Sequence, residues 1–484
     1  MKRLAAFTLV ILSGSSLPAL SAATAEGASQ LTSTLQTYLG NDPGVVTVTV
    51  DGDSYLARID FAPHFAKIKD PKVAVSLSPL ELKITDQGGG KWQVEQDQAL
   101  SFAFKVENAI DLKGSANSIK GSGIFDEALS GFSSYSSDMD KFAFQQTVTD
   151  GAAVTEVTYT IESTHTESAA SGTGDSADAT YKSTFKNLRE TVSTPSAPDG
   201  SMPPMQFTIS APDGTQDIAM KGLKSNGIFG LAAWLVAHPS PEEIIAAQAE
   251  LKDKLRGAIP LWDNISGTST INGLSINTMM GQFGIDRADI SVDMNGVVAD
   301  GKLREALTVT GLKLPGGIVP PFALNLVPQN FTIDFNVSDF DLAAPAQLII
   351  DNFDLTQDPP LKPEMQQPLM AALMPKMAVT LGLGPSEIVA SAYHLKAEGS
   401  MTAGPMSMPS GGASVQLKGI DEIMAAIQSA PPEMGMGQIA PVIIVAKGMA
   451  KQADDGFLSW QIESTPQGSV TVNGTDISKL GGGQ

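Results

Sequence analysis

The chain has 484 residues, 52 acidic against 31 basic side chains, four histidines and no cysteine. The missing thiols exclude disulfides, thiol catalysis, thiolate metal sites and C-x-x-C-H haem attachment. A net charge of −21 is repelled by nucleic-acid phosphates and anionic lipid surfaces, so no nucleic-acid partner is expected.

Met1-Lys2-Arg3, the apolar run Leu4 to Leu12 and the small residues Ala19 to Ala25 predict a cleavable secretory signal over residues 1–25. The A-x-A pattern Ala23-Thr24-Ala25 puts the cut just before Glu26. The apolar run is shorter than the roughly 20 residues of a membrane span, and no later stretch reaches that length uninterrupted. No cysteine follows it to carry a lipoprotein anchor. Loss of Lys2 and Arg3 leaves 29 basic against 52 acidic residues, a charge of −23. An exported, released periplasmic protein is expected, with its partner in the periplasm or at the envelope's inner faces.

The next signal along the chain is alternation with period two, the mark of half-buried strands. It appears at Leu100, Phe102, Phe104 and Val106, at Val157, Tyr159 and Ile161, and later at Phe331, Ile333, Phe335 and Val337. Asp51-Gly52, Gly88-Gly89-Gly90, Asp213-Gly214, Asn272-Gly273, Asn295-Gly296 and Asn473-Gly474 supply turn chemistry between strands. Two stretches rich in Ser, Thr, Gly and Pro, 163–179 and 193–204, are expected as long loops or linkers around a strand near Tyr181 to Thr191.

Helical pattern starts with the apolar segment Ile228 to Ala237, at whose end His238 complements the helix C-terminus. A capping box at Ser240-Pro241-Glu242-Glu243 follows, with Ile244, Ala247, Leu251 and Leu255 on one face and Gly257 as the stop. Further helices are expected over Pro363 to Leu381, Ile420 to Ala430 and Ala440 to Lys451. A low-complexity stretch, Thr402 to Ala413, lies between them.

These elements predict an α+β fold, predominantly antiparallel β, with long meandering or partly open sheets and a few helices packed on one face. The roughly 460 residues left after cleavage suffice for several cores. The expected division is an N-terminal β-rich domain over 26–200, a central β-rich domain with helical inserts over 201–400, and over 401–484 a Met-rich helical segment with a terminal β-hairpin. Ile110 to Gly114 with Gly123-Ile124-Phe125 is echoed by Ile218 to Gly222 with Gly227-Ile228-Phe229, a hint of duplicated β units.

No local catalytic pattern is present. The histidines His64, His165, His238 and His394 lack the spacing that puts two metal ligands on one helix face, and no G-x-S-x-G, G-x-G-x-x-G or P-loop occurs. No cofactor is expected. A hydrolase built from dispersed carboxylates or one histidine stays open as an alternative.

Methionine placement is the least ordinary feature, since 11 of the 19 lie between Met365 and Met449. Met365, Met370, Met374 and Met377 look like one apolar helix face, the lining of a hydrophobic ligand groove. The pairs Met406/Met408 and Met434/Met436 make a thioether copper site the lesser alternative, because soft sulfur favours Cu(I).

The Cys-free β meanders and the C-terminal segment Trp460-Gln461-Ile462 followed by Val470-Thr471-Val472-Asn473-Gly474 resemble proteobacterial envelope proteins of the YdgA-like type. That resemblance carries no catalytic residues over to this chain and implies only a periplasmic role, without a defined biochemistry. The expected function is a non-enzymatic binding or envelope-associated protein whose sheets offer an apolar groove to a lipid or an envelope protein.

Overall fold

The computed structural model describes residues 22–68, 70–150, 153–195, 204–405, 407–453 and 455–477. Residues 1–21 of the expected signal, and Met406, lie outside them.

Helix α1 (Ala25–Leu39) begins at Thr24, whose hydroxyl accepts from the Gly27 amide as an N-cap. Its Ala28, Leu31 and Leu35 pack with Tyr55, Ala57 and Ile84. The cut expected before Glu26 thus falls in the first turn of a capped helix.

The strands β1 (Val46–Asp51) and β2 (Ser54–Ile59), a short helix α2 (Ala62–Phe65), β3 (Val73–Leu77) and β4 (Leu80–Gly88) lead to six long strands. These are β5 (Lys91–Val106), β6 (Ile110–Asp126), β7 (Gly131–Asp150), β8 (Ala153–Thr173), β9 (Ser176–Thr194) and β10 (Met205–Leu223). The 21 residues of β8 reach about 70 Å at the usual rise per residue. Helices α3 (Ser225–Ala237), α4 (Pro241–Ala246) and α5 (Gln248–Ala258) follow.

The second half continues with β11 (Asn264–Asn272), β12 (Ser275–Thr278), β13 (Gly281–Gly284), β14 (Arg287–Asn295), β15 (Gly301–Thr310) and β16 (Pro328–Phe340). After α6 (Ala343–Asn352) and α7 (Gln366–Leu373) come β17 (Val379–Ala390), β18 (His394–Gly404) and β19 (Ser407–Lys418). Helices α8 (Ile420–Gln428) and α9 (Ala440–Met449) precede β20 (Lys451–Gln452), β21 (Leu458–Ser464), β22 (Val470–Val472) and β23 (Thr475–Asp476).

All pairings are antiparallel and join the strands into one open sheet. The path is a meander: each strand pairs with a sequence neighbour, and where one is interrupted, as at β3 and β4 or at β11 and β12, both pieces lie along the same partner. Antiparallel strands need only short turns, which is why so little chain is spent between them. The solvent-accessible surface is 28680 Å², against roughly 17,000 Å² for a compact monomer of this mass. Few side chains are deeply buried, because a single layer has no second layer to cover its apolar face.

Several expectations change. Residues 163–179 are not a loop: they form the paired ends of β8 and β9, turning at Gly174-Asp175. Their Ser and Thr are short side chains that a pleated sheet accommodates as well as it does apolar ones. Of 193–204, residues 196–203 lie outside the described ones. Residues 402–404 and 407–413 likewise belong to the paired strands β18 and β19, so position 400 lies inside β18. Asp213-Gly214 is no turn but the middle of β10. A Cβ at Gly214 would stand 2.3 Å from Phe185 Cε1, so the glycine serves close ring packing. Asn473 and Gly474, at φ 51° and 83°, do make the expected tight turn between β22 and β23.

The capping box at Ser240 is present, but the helix breaks at Ala247, which leaves helical geometry at φ −103° and ψ 21°. The expected helix over Pro363 to Leu381 stops at Leu373, because Pro375 disfavours helical geometry at Met374. The internal echo is not structural, since Gly123 to Phe125 sit in β6 and Gly227 to Phe229 in α3.

Candidate functional site

Because pairing is continuous, the side chains on one face can be followed straight across the sheet. One row runs from β1 to β11 through Val50, Tyr55, Ile84, Val94, Gly123, Tyr135, Ser168, Tyr181, Ile218 and Gly267. It continues through Val292, Glu305, Phe335, Leu383, Gly399, Ala413, Ile462 and Val472 to β22. Two residues along, Met220, Ile265, Met294, Leu303, Val337, Leu381 and Met401 form a second row. Neither row contains a lysine or an arginine.

The opposite face is polar. Arg304 grips the buried Asp334 carboxylate with bonds of 2.8 to 3.1 Å, and that carboxylate holds the guanidinium above its usual range. Thr332, Glu387, Lys396, Glu398, Ser414 and Gln416 lie nearby on that face.

Over β14 to β18 the apolar face is uncovered. Ile290 is 40% exposed, Leu303 39%, Phe335 60%, Leu381 41% and Met401 39%, on five successive strands and all on the same side. Monomeric proteins rarely leave so continuous an apolar patch without a ligand or partner for it. In β18 and β19 the small residues Gly399, Gly411 and Ala413 leave a hollow of about 480 Å³ lined by Phe335, Leu383, Met401 and Ile462. Through Val415 and Ile462 it adjoins an apolar cavity of about 670 Å³. That second cavity is bounded by Ile420 and Ile423 of α8, Ile443 and Met449 of α9, and Trp460 and Val472 of the sheet. Both volumes lie within the range of small-molecule sites.

Comparison with protein-family models, with curated proteins and with solved structures finds no match.

The residues singled out in the sequence are placed otherwise. Met365 ends a 3-10 turn, Met370 is exposed on α7, Met374 is buried at its C-cap, and Met377 lies beyond the helix at φ 54°. They do not share one helix face, because the helix that was expected to carry all four ends at Leu373. Of the paired methionines, Met408 is exposed on β19, and Met434 and Met436 occupy 3-10 turns between α8 and α9.

His238 completes α3 as expected: its Nδ1 lies 2.8 Å from the Trp234 carbonyl and its ring stacks on that indole. His64 faces Asp42 at 2.9 Å and the Leu39 carbonyl at 3.2 Å. His165 lies between Asp138 and Glu167 on the polar face, and His394 meets Glu387. Among the described residues no histidine is hydrogen-bonded to a serine, and no cluster of His, Cys, Asp or Glu is arranged to hold a metal ion.

Sequence reasoning missed the uncovered face itself. Alternation at Phe331 to Val337 was visible, whereas the alignment of that strand with Leu303, Leu381 and Met401 is a property of pairing. The glycines of 382–412 were the one local signal, since a strand that lacks side chains leaves room above it.

Proposed function

We propose that the protein is a non-enzymatic, exported envelope protein that holds acyl chains of a lipid along the apolar face of its sheet. The observation that carries this reading is the exposure of Ile290, Leu303, Phe335, Leu381 and Met401 in neighbouring register rows on one side of five successive strands. A flexible apolar chain matches a shallow, extended, predominantly apolar trough better than a compact polar substrate does.

In this reading the helices sit on the same face and shut its ends. Helix α1 packs with Tyr55, Ala57 and Ile84 at one end, and α8 and α9 close on Trp460 and Val472 at the other. Periplasmic location rests on the N-terminal pattern and on the YdgA-like resemblance; among the described residues no helix is long and apolar enough to cross a membrane.

The test is native mass spectrometry and lipid extraction of the chain purified from its own envelope, alongside titration with a fluorescent fatty acid. Co-purifying lipid, and uptake that Leu383→Asp/Met401→Asp lowers about tenfold or more, are expected. A protein that emerges free of lipid and takes up no fatty acid would falsify the proposal. Fractionation and N-terminal sequencing test the export.

A further inference from the structure

The uncovered face carries one ionisable side chain among its exposed apolar ones, Glu305 of β15. Its register partner on β16 is Phe335, the most exposed of the five aligned residues. Directly opposed residues on antiparallel strands hold their Cβ atoms about 4.5–5.5 Å apart. We propose that Glu305 and Phe335 form a position for an ammonium group, and that the lipid held on this face bears an ammonium headgroup. The assignment rests on the lipid reading above and names the headgroup chemistry of that site.

The surroundings argue for it by charge. Glu305 has no hydrogen bond or ion pair among the described residues. Its neighbours in the sheet on this face are Val292, Leu303 and Leu307, none of which can neutralise it. The adjacent Arg304 faces the other way and is engaged with Asp334. A carboxylate on an apolar surface is costly to desolvate unless a counter-charge arrives with whatever covers it. An ammonium supplies that charge, and the uncovered ring offers its negative face to the same group.

A second carboxylate, Glu190, stands between Tyr159 and Ile209 in the register of β8 to β10. With burial as the larger cause, its charge holds the Tyr159 phenol above its usual range. Around Glu305 the face therefore offers an acid and an aromatic ring to a headgroup, and neither register row holds a lysine or arginine to meet a phosphate. From Glu305, acyl chains would run over Leu383 and Met401 into the hollow above Ala413.

The experiment compares two lysophospholipids of one acyl chain, lysophosphatidylcholine and lysophosphatidylglycerol, below their micelle concentrations, on the full chain at low salt. Wild type is expected to prefer the choline lipid about tenfold, the combined scale of an exposed ion pair and a cation–π contact. Glu305→Gln and Phe335→Leu should each reduce that preference to about twofold or less, with unchanged urea midpoints because both side chains are exposed. Equal affinity for the two lipids, or a preference that survives both substitutions, overturns the ammonium position and leaves the lipid reading standing. Binding of neither overturns both.

Discussion

The indole Nε1 of Trp460 donates to the Ala446 carbonyl at 2.8 Å, tying α9 to the sheet across the wall of the larger cavity. Asn473 adds a bond to the Met449 carbonyl at the helix end, also 2.8 Å. Trp460→Phe keeps most of the ring volume and strands that carbonyl, so a loss of about 1–3 kcal/mol is expected. Hydrogen exchange should rise first over 440–449, and urea unfolding should give the magnitude. Unchanged exchange there would show that α9 is held by its apolar contacts alone.

Arg304 and Asp334 form the best-made ion pair of the polar face, with a side-chain exposure of 7% at the aspartate. Arg304→Ala leaves that carboxylate uncompensated and is expected to cost about 1–3 kcal/mol. Adding Asp334→Ala should recover part of the loss, a coupling that a double-mutant cycle in urea would measure.

His165 is held above its ordinary value of about 6.5, first by its hydrogen bond to Asp138 and then by that to Glu167. A raised folded-state pKa means that protonation favours folding. The gain is therefore full below about pH 6.5 and fades as pH rises through the folded value. The site is open to solvent, so the effect is modest and falls with salt. NMR titration should find the imidazole pKa raised in wild type and lowered toward normal in Asp138→Asn. The advantage in urea midpoint of wild type over that variant should shrink between pH 5.5 and 8.5.

Ala413 is one of the small residues that line the hollow in β17 to β19. Ala413→Phe fills it, and should weaken uptake of a long fluorescent fatty acid more than that of a short one. The unfolding free energy from urea titration should stay within about 0.5 kcal/mol of wild type, as for other substitutions outside the packed core. Equal loss for both lengths would place the chains elsewhere on the face.

Much of the strand content was legible in the sequence because alternation is local: Leu100 to Val106 and Phe331 to Val337 show it residue by residue. Thr164, Thr166 and Ser168 do not, since they occupy the same face with short polar side chains. The single helix face expected at the methionines is absent for a local reason, Pro375, which the helical spacing of Met370, Met374 and Met377 concealed. The functional face was not legible, because the partners of Leu381 and Phe335 are set by register and lie up to dozens of residues away.

The neighbour-to-neighbour pairing also bears on how the molecule is made. Each new strand finds its template already laid down by the segment before it, so assembly needs few long-range encounters and can proceed in the order of synthesis. At every stage the growing edge shows unpaired amides and carbonyls to whatever strand comes next. A chain halted at any hairpin would be a shorter sheet with one reactive border, and would seek a second such fragment to seal it.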